Sequence, residues 1–164
     1  MDDFSLKSRA EQDRHFMSMA LDEAGKAYAL QEVPIGAVVV AGGEVVGSAY
    51  NRREAAADPS AHAEFLALTE AARKLGRWRL SDCTVYVTLE PCLMCAGLMH
   101  QARVARCVYG AADPKAGALG SLFEVHADPR LNHNFAVTSS VLEEECSRLL
   151  KDFFHDLRSK SKDR

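Results

Sequence analysis

No run of about 18 apolar residues occurs in the chain, so no segment is expected to span a membrane. An excess of positive charge is also missing. Twenty Lys and Arg face 23 Asp and Glu, for a formal net charge of −3, whereas nucleic-acid-binding domains commonly show a basic surplus. Binding by bulk charge is thereby excluded, and a local basic patch is not. Cysteine is scarce and odd in number, five among 164 residues, which argues against a disulfide framework and for a reducing compartment. Cys92-x-x-Cys95 has no second Cys-x-x-Cys or His-x-x-x-His to accompany it, so a closed four-ligand structural zinc site is not expected. Internal repeats, low-complexity blocks and linkers are missing too. The opening "MDDFSLKSRAEQDR" is polar, unlike a secretory signal, and a cytoplasmic protein is expected. The length suits one domain over residues 1–164, with flexible tails at 1–10 and 159–164.

Against these absences, 48 % of the residues are hydrophobic, enough for a sizeable core. Residues 13–30 show helical spacing, with Phe16, Ala20, Ala24, Ala27 and Tyr28 on one face. Ile35 to Val40 reads as a buried strand, Ala41 to Glu44 as a hairpin turn, and Val45 to Tyr50 as the returning strand. A polar loop, Asn51 to Ser60, leads into a helix over 61–75. Phe65, Leu66, Leu68 and Ala72 are expected toward the core and Gly76 as the stop. Cys83 to Leu89 is a third strand, Cys92 to Gln101 a helix opened by Pro91, and Val104 to Gly110 a fourth strand parallel to the third. A Gly-rich loop, Asp113 to Ser121, and a short strand, Ala136 to Ser139, precede an amphipathic helix from Leu142. This order predicts an α/β fold, a mixed five-stranded sheet between helices in three layers (α/β/α).

The chemistry concentrates in "HAE" at His62–Glu64 and "PCLMC" at Pro91–Cys95. Cys92 and Cys95 share a face at the first turn of a helix, where the helix N-terminus favours the thiolates that bind metal. His62, also at a helix start, is the best third ligand. One His and two Cys would leave a fourth position open, the arrangement of a catalytic zinc rather than a structural one. Such a zinc lowers the pKa of its water from about 15.7 to near 7. Glu64 would stay off the metal and move protons. Residues two apart on a regular helix point about 200° apart, so His62 and Glu64 can converge only if His62 sits at an irregular first turn.

Each residue has a plainer reading. Glu64 alone is an ordinary helix charge, His62 alone a surface or core residue, and Cys-x-x-Cys alone a redox pair. No aromatic-Cys-Gly-Pro-Cys sequence follows the first strand, which weakens the redox reading. Cys83, Cys107 and Cys146 read as small core residues. The combination of His-x-Glu and a distant Pro-Cys-x-x-Cys is the recognised signature of zinc-dependent base deaminases.

Over roughly residues 10 to 158 the chain resembles the cytidine-deaminase-like superfamily, and within it the bacterial tRNA-specific adenosine deaminases. The stretches that carry the likeness are "VPIGAVVV", "AYNRRE", "DPSAHAE", "YVTLEPCLMCAGLMHQARV" and "YGAADPKAGALGS". The resemblance implies one Zn2+ held by His62, Cys92 and Cys95, and a tRNA anticodon stem-loop as substrate. It implies hydrolytic deamination of the wobble adenosine to inosine, with zinc-bound hydroxide attacking C6 and Glu64 shuttling protons. Asn51 matches the family residue that hydrogen-bonds the base, and backbone N–H groups at Ala63 and the Cys92–Cys95 turn are expected to help hold the zinc-bound oxygen. Asp113 and Lys115 match anticodon-loop contacts, and Asn132 is a further RNA-contact candidate. Ala112 stands where some members carry a basic residue. The family is homodimeric, and Leu93, Leu98 and Met99 are available for the core or for such an interface.

Plainer readings stay open here too. Asn51 could be a strand-end turn residue, and Asp113 and Lys115 ordinary turn residues of "ADPKAG". Arg73, Lys74, Arg77 and Arg79 read as a solvated face. Phe153 and Phe154 read as core residues, although the resemblance implies an aromatic on this helix near the RNA, and the basic segment Arg158 to Arg164 reads as either a phosphate contact or a solubilising tail. The competing functions are deamination of a free base or nucleotide, and a non-enzymatic zinc-stabilised RNA-binding module.

Overall fold

The computed structural model describes residues 7–163. Five strands and four helices follow in the order α1 (Arg9–Ala29), β1 (Gly36–Ala41), β2 (Glu44–Tyr50), α2 (Ala63–Leu75), β3 (Cys83–Leu89), α3 (Leu93–Ala102), β4 (Arg106–Ala111), β5 (Ala136–Thr138) and α4 (Glu143–Lys162). The sheet order is β2-β1-β3-β4-β5. β1 runs antiparallel to both β2 and β3, while β3, β4 and β5 are parallel. The expected mixed five-stranded sheet and the parallel β3–β4 pair are therefore present. A parallel pair needs a crossover, and α3 supplies it.

The strands sort their residues by alternation, since neighbouring side chains point to opposite faces. Ala37, Val39, Val85, Val87, Cys107 and Tyr109 pack under α2 and α3. Val38, Val40, Tyr86 and Val108 pack with Phe16, Met17 and Ala20 of α1 and Cys146 of α4. Cys83, Cys107 and Cys146 are buried, as small core residues.

Several expected boundaries move. α1 begins at Arg9, four residues before the expected start. Ser8 and Glu11 form a reciprocal capping box, with Glu11 N–H to Ser8 Oγ at 3.2 Å and Ser8 N–H to Glu11 Oε2 at 2.9 Å. The helix thus enters the stretch expected as a tail, whose first six residues lie outside the described ones. At the other end α4 continues through residues 159–162, also expected as tail.

The buried stripe of α2 differs from the expected one. Ala63, Glu64, Ala67, Leu68 and Ala71 face inward, while Phe65, Leu66 and Ala72 are only half-buried. The reason is closeness: a methyl on Gly47 of β2 would overlap the Ala67 carbonyl. The residues set directly against Gly47 are alanines, Ala67 and Ala71, while Phe65 and Leu66 turn to the rim. α2 ends as expected at Gly76, in the left-handed conformation (φ 67°).

On the α1 face one buried ion pair crosses the layers. Arg106 donates to both Asp13 oxygens, at 2.8 and 2.6 Å, and the Tyr86 hydroxyl donates to Asp13 at 2.8 Å. Burial raises the Asp13 carboxyl, but the Arg106 and Tyr86 hydrogen bonds outweigh it and hold it below the usual carboxylate range.

Candidate active site

The site lies at the helix N-termini that follow β2 and β3. His62 is the N-cap of α2 and Cys92 the N-cap of α3. Both have extended backbones (φ −78°, ψ 149° and φ −78°, ψ 177°), and neither uses its side chain to cap its helix. Both side chains are therefore turned from the usual capping task toward each other. The extended geometry at His62 also removes the 200° conflict, because Glu64 lies in the first turn and His62 just before it.

His62 Nδ1 stands 3.7 Å from Cys92 Sγ and 3.6 Å from Cys95 Sγ. The three ligand atoms lie within 4.8 Å of one another, and among the described residues no further His, Cys, Asp or Glu joins them. A tetrahedral zinc with ordinary bond lengths would set N···S separations of about 3.6 Å, so the donors are both chemically and geometrically suited to one such ion. The two thiols compete for one proton. Hydrogen bonding from Cys95, opposed by burial and aided by His62, holds Cys92 down at about 3. The same Cys92–Cys95 bond and burial drive Cys95 upward. His62 is raised, first by its hydrogen bond to Cys92.

Glu64 is buried and carries no metal-ligand geometry. Burial pushes its carboxyl up to about 7, against a usual value of 4.5, with nearby Cys92 adding to the rise. A carboxyl poised there can both take and return a proton near neutrality. Val33, Ile35, Asn51, Arg53, His62 and Glu64 border a cavity of about 90 Å³. It is far smaller than the 440 Å³ apolar groove of α2 and α3 lined by Leu68, Trp78, Leu80 and Leu98, but it holds the acid and opens on His62.

Asn51 reaches this cavity buried and already partly engaged. Its Nδ2 donates to the Val33 carbonyl at 3.2 Å and its Oδ1 accepts the Arg53 N–H at 3.1 Å. It is thus a turn residue and a cavity wall at once. Ala63 is the first residue of α2, beside His62.

Asp113 and Lys115 lie on the loop after β4. Asp113 Oδ1 accepts the N–H groups of Lys115 (3.0 Å) and Ala116 (3.2 Å), which makes it a turn residue as well, while the Lys115 side chain is exposed. Asn132 is exposed and pairs with His100 Nε2 of α3 at 3.1 Å. Phe153 is buried edge-on against Tyr28, whereas Phe154 is exposed. Arg73, Lys74 and Arg79 are exposed, and Arg77 pairs with Asp82 at 2.7 Å.

Besides Asp13, two more buried carboxylates belong to no sequence motif. Glu32 accepts the backbone N–H groups of Glu54 and Ala55, in the loop after Asn51. Glu90 accepts those of Asp113, Leu119 and Ser121. The signal for Glu90 was its place, a charged residue at a strand end directly before Pro91 and Cys92.

Comparison with known proteins agrees with this geometry. The family model for MafB19-like deaminases matches residues 11–158. The chain is 50 % identical over 151 residues to the tRNA-specific adenosine deaminase of Bacillus subtilis (strain 168), covering 92 % of this chain and 94 % of the relative. It is 46 % identical over 159 residues to that of Haemophilus influenzae, covering 96 % and 92 %. A solved tRNA:A34 deaminase, studied for A-to-I editing at the wobble position of transfer RNA, superposes with a TM-score of 0.80 at 43 % identity, covering 83 % of this chain and 99 % of that one. A guanine deaminase from Nitrosomonas europaea superposes less closely, with a TM-score of 0.72 at 26 % identity over 85 % and 83 %.

Proposed function

This chain belongs to the family of tRNA-specific adenosine deaminases, and from that premise we propose that it converts the wobble adenosine of a tRNA anticodon loop to inosine by hydrolysis. The observation that carries this reading is the His62–Cys92–Cys95 cluster beside a buried, non-ligating Glu64. His62, Cys92 and Cys95 would hold a zinc, which would supply a water acidic enough to act as a nucleophile at neutral pH. Glu64 takes a proton from the attacking water and returns it to the departing nitrogen. Oxygen bonds to C6, the C6–N bond breaks, and ammonia leaves. Asn51, on the cavity wall, has amide valences left over from its two turn bonds and hydrogen-bonds the base. The Ala63 N–H points its helix-terminal partial charge at the developing negative oxygen. Asp113, Lys115 and Asn132 contact the RNA outside the cavity. An anticodon loop already presents its bases unpaired, so extruding one costs only a few kcal/mol.

The same reading makes the protein a homodimer. The 440 Å³ groove between α2, α3 and the loop that carries exposed Trp78 offers an apolar surface that a second copy would cover. Among the described residues no helix is long and apolar enough to cross a membrane, and a tRNA substrate places the activity in the cytoplasm. The test is incubation with an adenosine-bearing anticodon stem-loop and, separately, with free adenosine and guanine. Inosine from the stem-loop alone is expected. Turnover of free bases alone would overturn the RNA assignment in favour of a free-base deaminase.

A further inference from the structure

Glu90 has no part in the chemistry above, yet it is only 2 % exposed. A carboxylate buried this deeply requires matching donors, and here they all come from one loop. Oε1 accepts the Asp113 N–H at 3.0 Å, and Oε2 accepts the N–H groups of Leu119 (3.1 Å) and Ser121 (3.0 Å). The Ser121 hydroxyl also donates to Oε1. Gly117 closes the cradle, since a methyl there would overlap the carboxylate itself. The Ala118 N–H adds a bond to the Pro91 carbonyl at 2.8 Å, and the Gly117 N–H one to the Asp113 carbonyl at 2.9 Å. Residues 113–121 are thus wrapped around a single acid that stands two positions before Cys92. Asp113 and Lys115 ride on the rim of that wrap.

We infer that Glu90 is a positioning residue for the RNA. It ties the recognition loop to the strand end that carries Cys92, and so fixes the distance between the anticodon contacts and the reacting carbon. The inference rests on the anticodon-loop reading given above. Glu90 itself touches neither substrate nor reacting atoms. Glutamine in its place would present an amide N–H₂ to backbone donors on one side, release one arm of the loop and leave the metal ligands in place.

The test compares steady-state kinetics on the stem-loop for Glu90→Gln and Ser121→Ala, each alone and combined with Lys115→Ala, with zinc content measured for every protein. For Glu90→Gln we expect KM to rise by about tenfold, the scale of one charge-assisted hydrogen bond, with kcat within about twofold and the metal retained. Ser121→Ala should shift KM the same way by about threefold, since it removes only the hydroxyl donor. In the Lys115→Ala background the Glu90→Gln effect on KM should shrink, because the loop then has less to position. A fall in kcat or loss of metal at unchanged KM would mark Glu90 as merely structural and overturn the inference. So would a KM effect undiminished in the Lys115→Ala background. If Glu90→Gln does not fold, Ser121→Ala decides, and an unchanged KM counts against the inference. A wild-type protein inactive on the stem-loop would instead sink the substrate reading, so the two failures are distinguishable.

Discussion

Two carboxylates are buried on opposite faces of the sheet, and their surroundings treat them in opposite ways. On the α1/α4 face, Asp13 meets the Arg106 guanidinium and the Tyr86 hydroxyl, and the net effect holds it ionised. On the α2/α3 face, Glu64 has no guanidinium, and burial pushes its carboxyl up to about 7. One face satisfies its charge and gains rigidity. On the other face burial outweighs the hydrogen bonds Glu64 receives, and the result is a carboxyl raised toward neutrality. The division follows the strand alternation, which sends the residues of β1, β3 and β4 alternately to a structural core and to the floor of the site.

Substitutions that respect this division should affect function or stability but not both. The largest effect belongs to the ligands. His62→Ala or Cys92→Ser should abolish both metal content, by elemental analysis, and deamination, while the far-ultraviolet dichroism stays that of a folded α/β protein. On the opposite face, Asp13→Asn strands Arg106 without its counter-charge and should cost about 3–5 kcal/mol of stability in urea unfolding. The kcat per folded molecule should not change.

The pH response sharpens the contrast, because the two shifts have opposite sign. Asp13 is lowered in the fold, so its contribution is full above the ordinary value of 3.8 and is lost as pH falls through its folded pKa. Glu64 is raised, so the fold favours its protonated form, and the cost of ionising it grows as pH rises from 4.5 to about 7. In chelated protein, Glu64→Gln should match the wild type at pH 4.5 and exceed it by roughly 3 kcal/mol at pH 8, by denaturant unfolding at each pH. Equal stability at both values would show that Glu64 is not raised by burial. The smallest effect is at the edge of the molecule, where Ser8→Ala should remove about 1 kcal/mol through the lost cap and leave turnover unchanged.

Much of this was legible in the sequence, for identifiable reasons. The sheet could be read because its strands are continuous Val-rich runs bounded by turn residues. The cluster of His62, Cys92 and Cys95 could be read because each sits at or near the start of an expected helix. The inward face of α2 was misplaced because large apolar residues outweigh alanines in a periodicity argument. How closely a helix approaches its sheet is a tertiary quantity, visible here only in retrospect through Gly47 opposite Ala67. The early start of α1 is written in Ser8-x-x-Glu11, a capping-box pattern ahead of the apolar face. The hold of Glu90 on residues 113–121 was not legible, because its hydrogen bonds run to backbone groups 23 to 31 residues away, and backbone donors leave no trace in side-chain identity.

The most direct measurement pairs zinc content with inosine formation from an anticodon stem-loop, for wild type and Glu64→Gln side by side. We expect one zinc per chain in both proteins and a fall in turnover of about 10²–10⁴-fold in the variant, the scale of general acid–base catalysis. Glu64→Gln that keeps its zinc and still forms inosine at the wild-type rate would contradict the role assigned to the buried carboxylate.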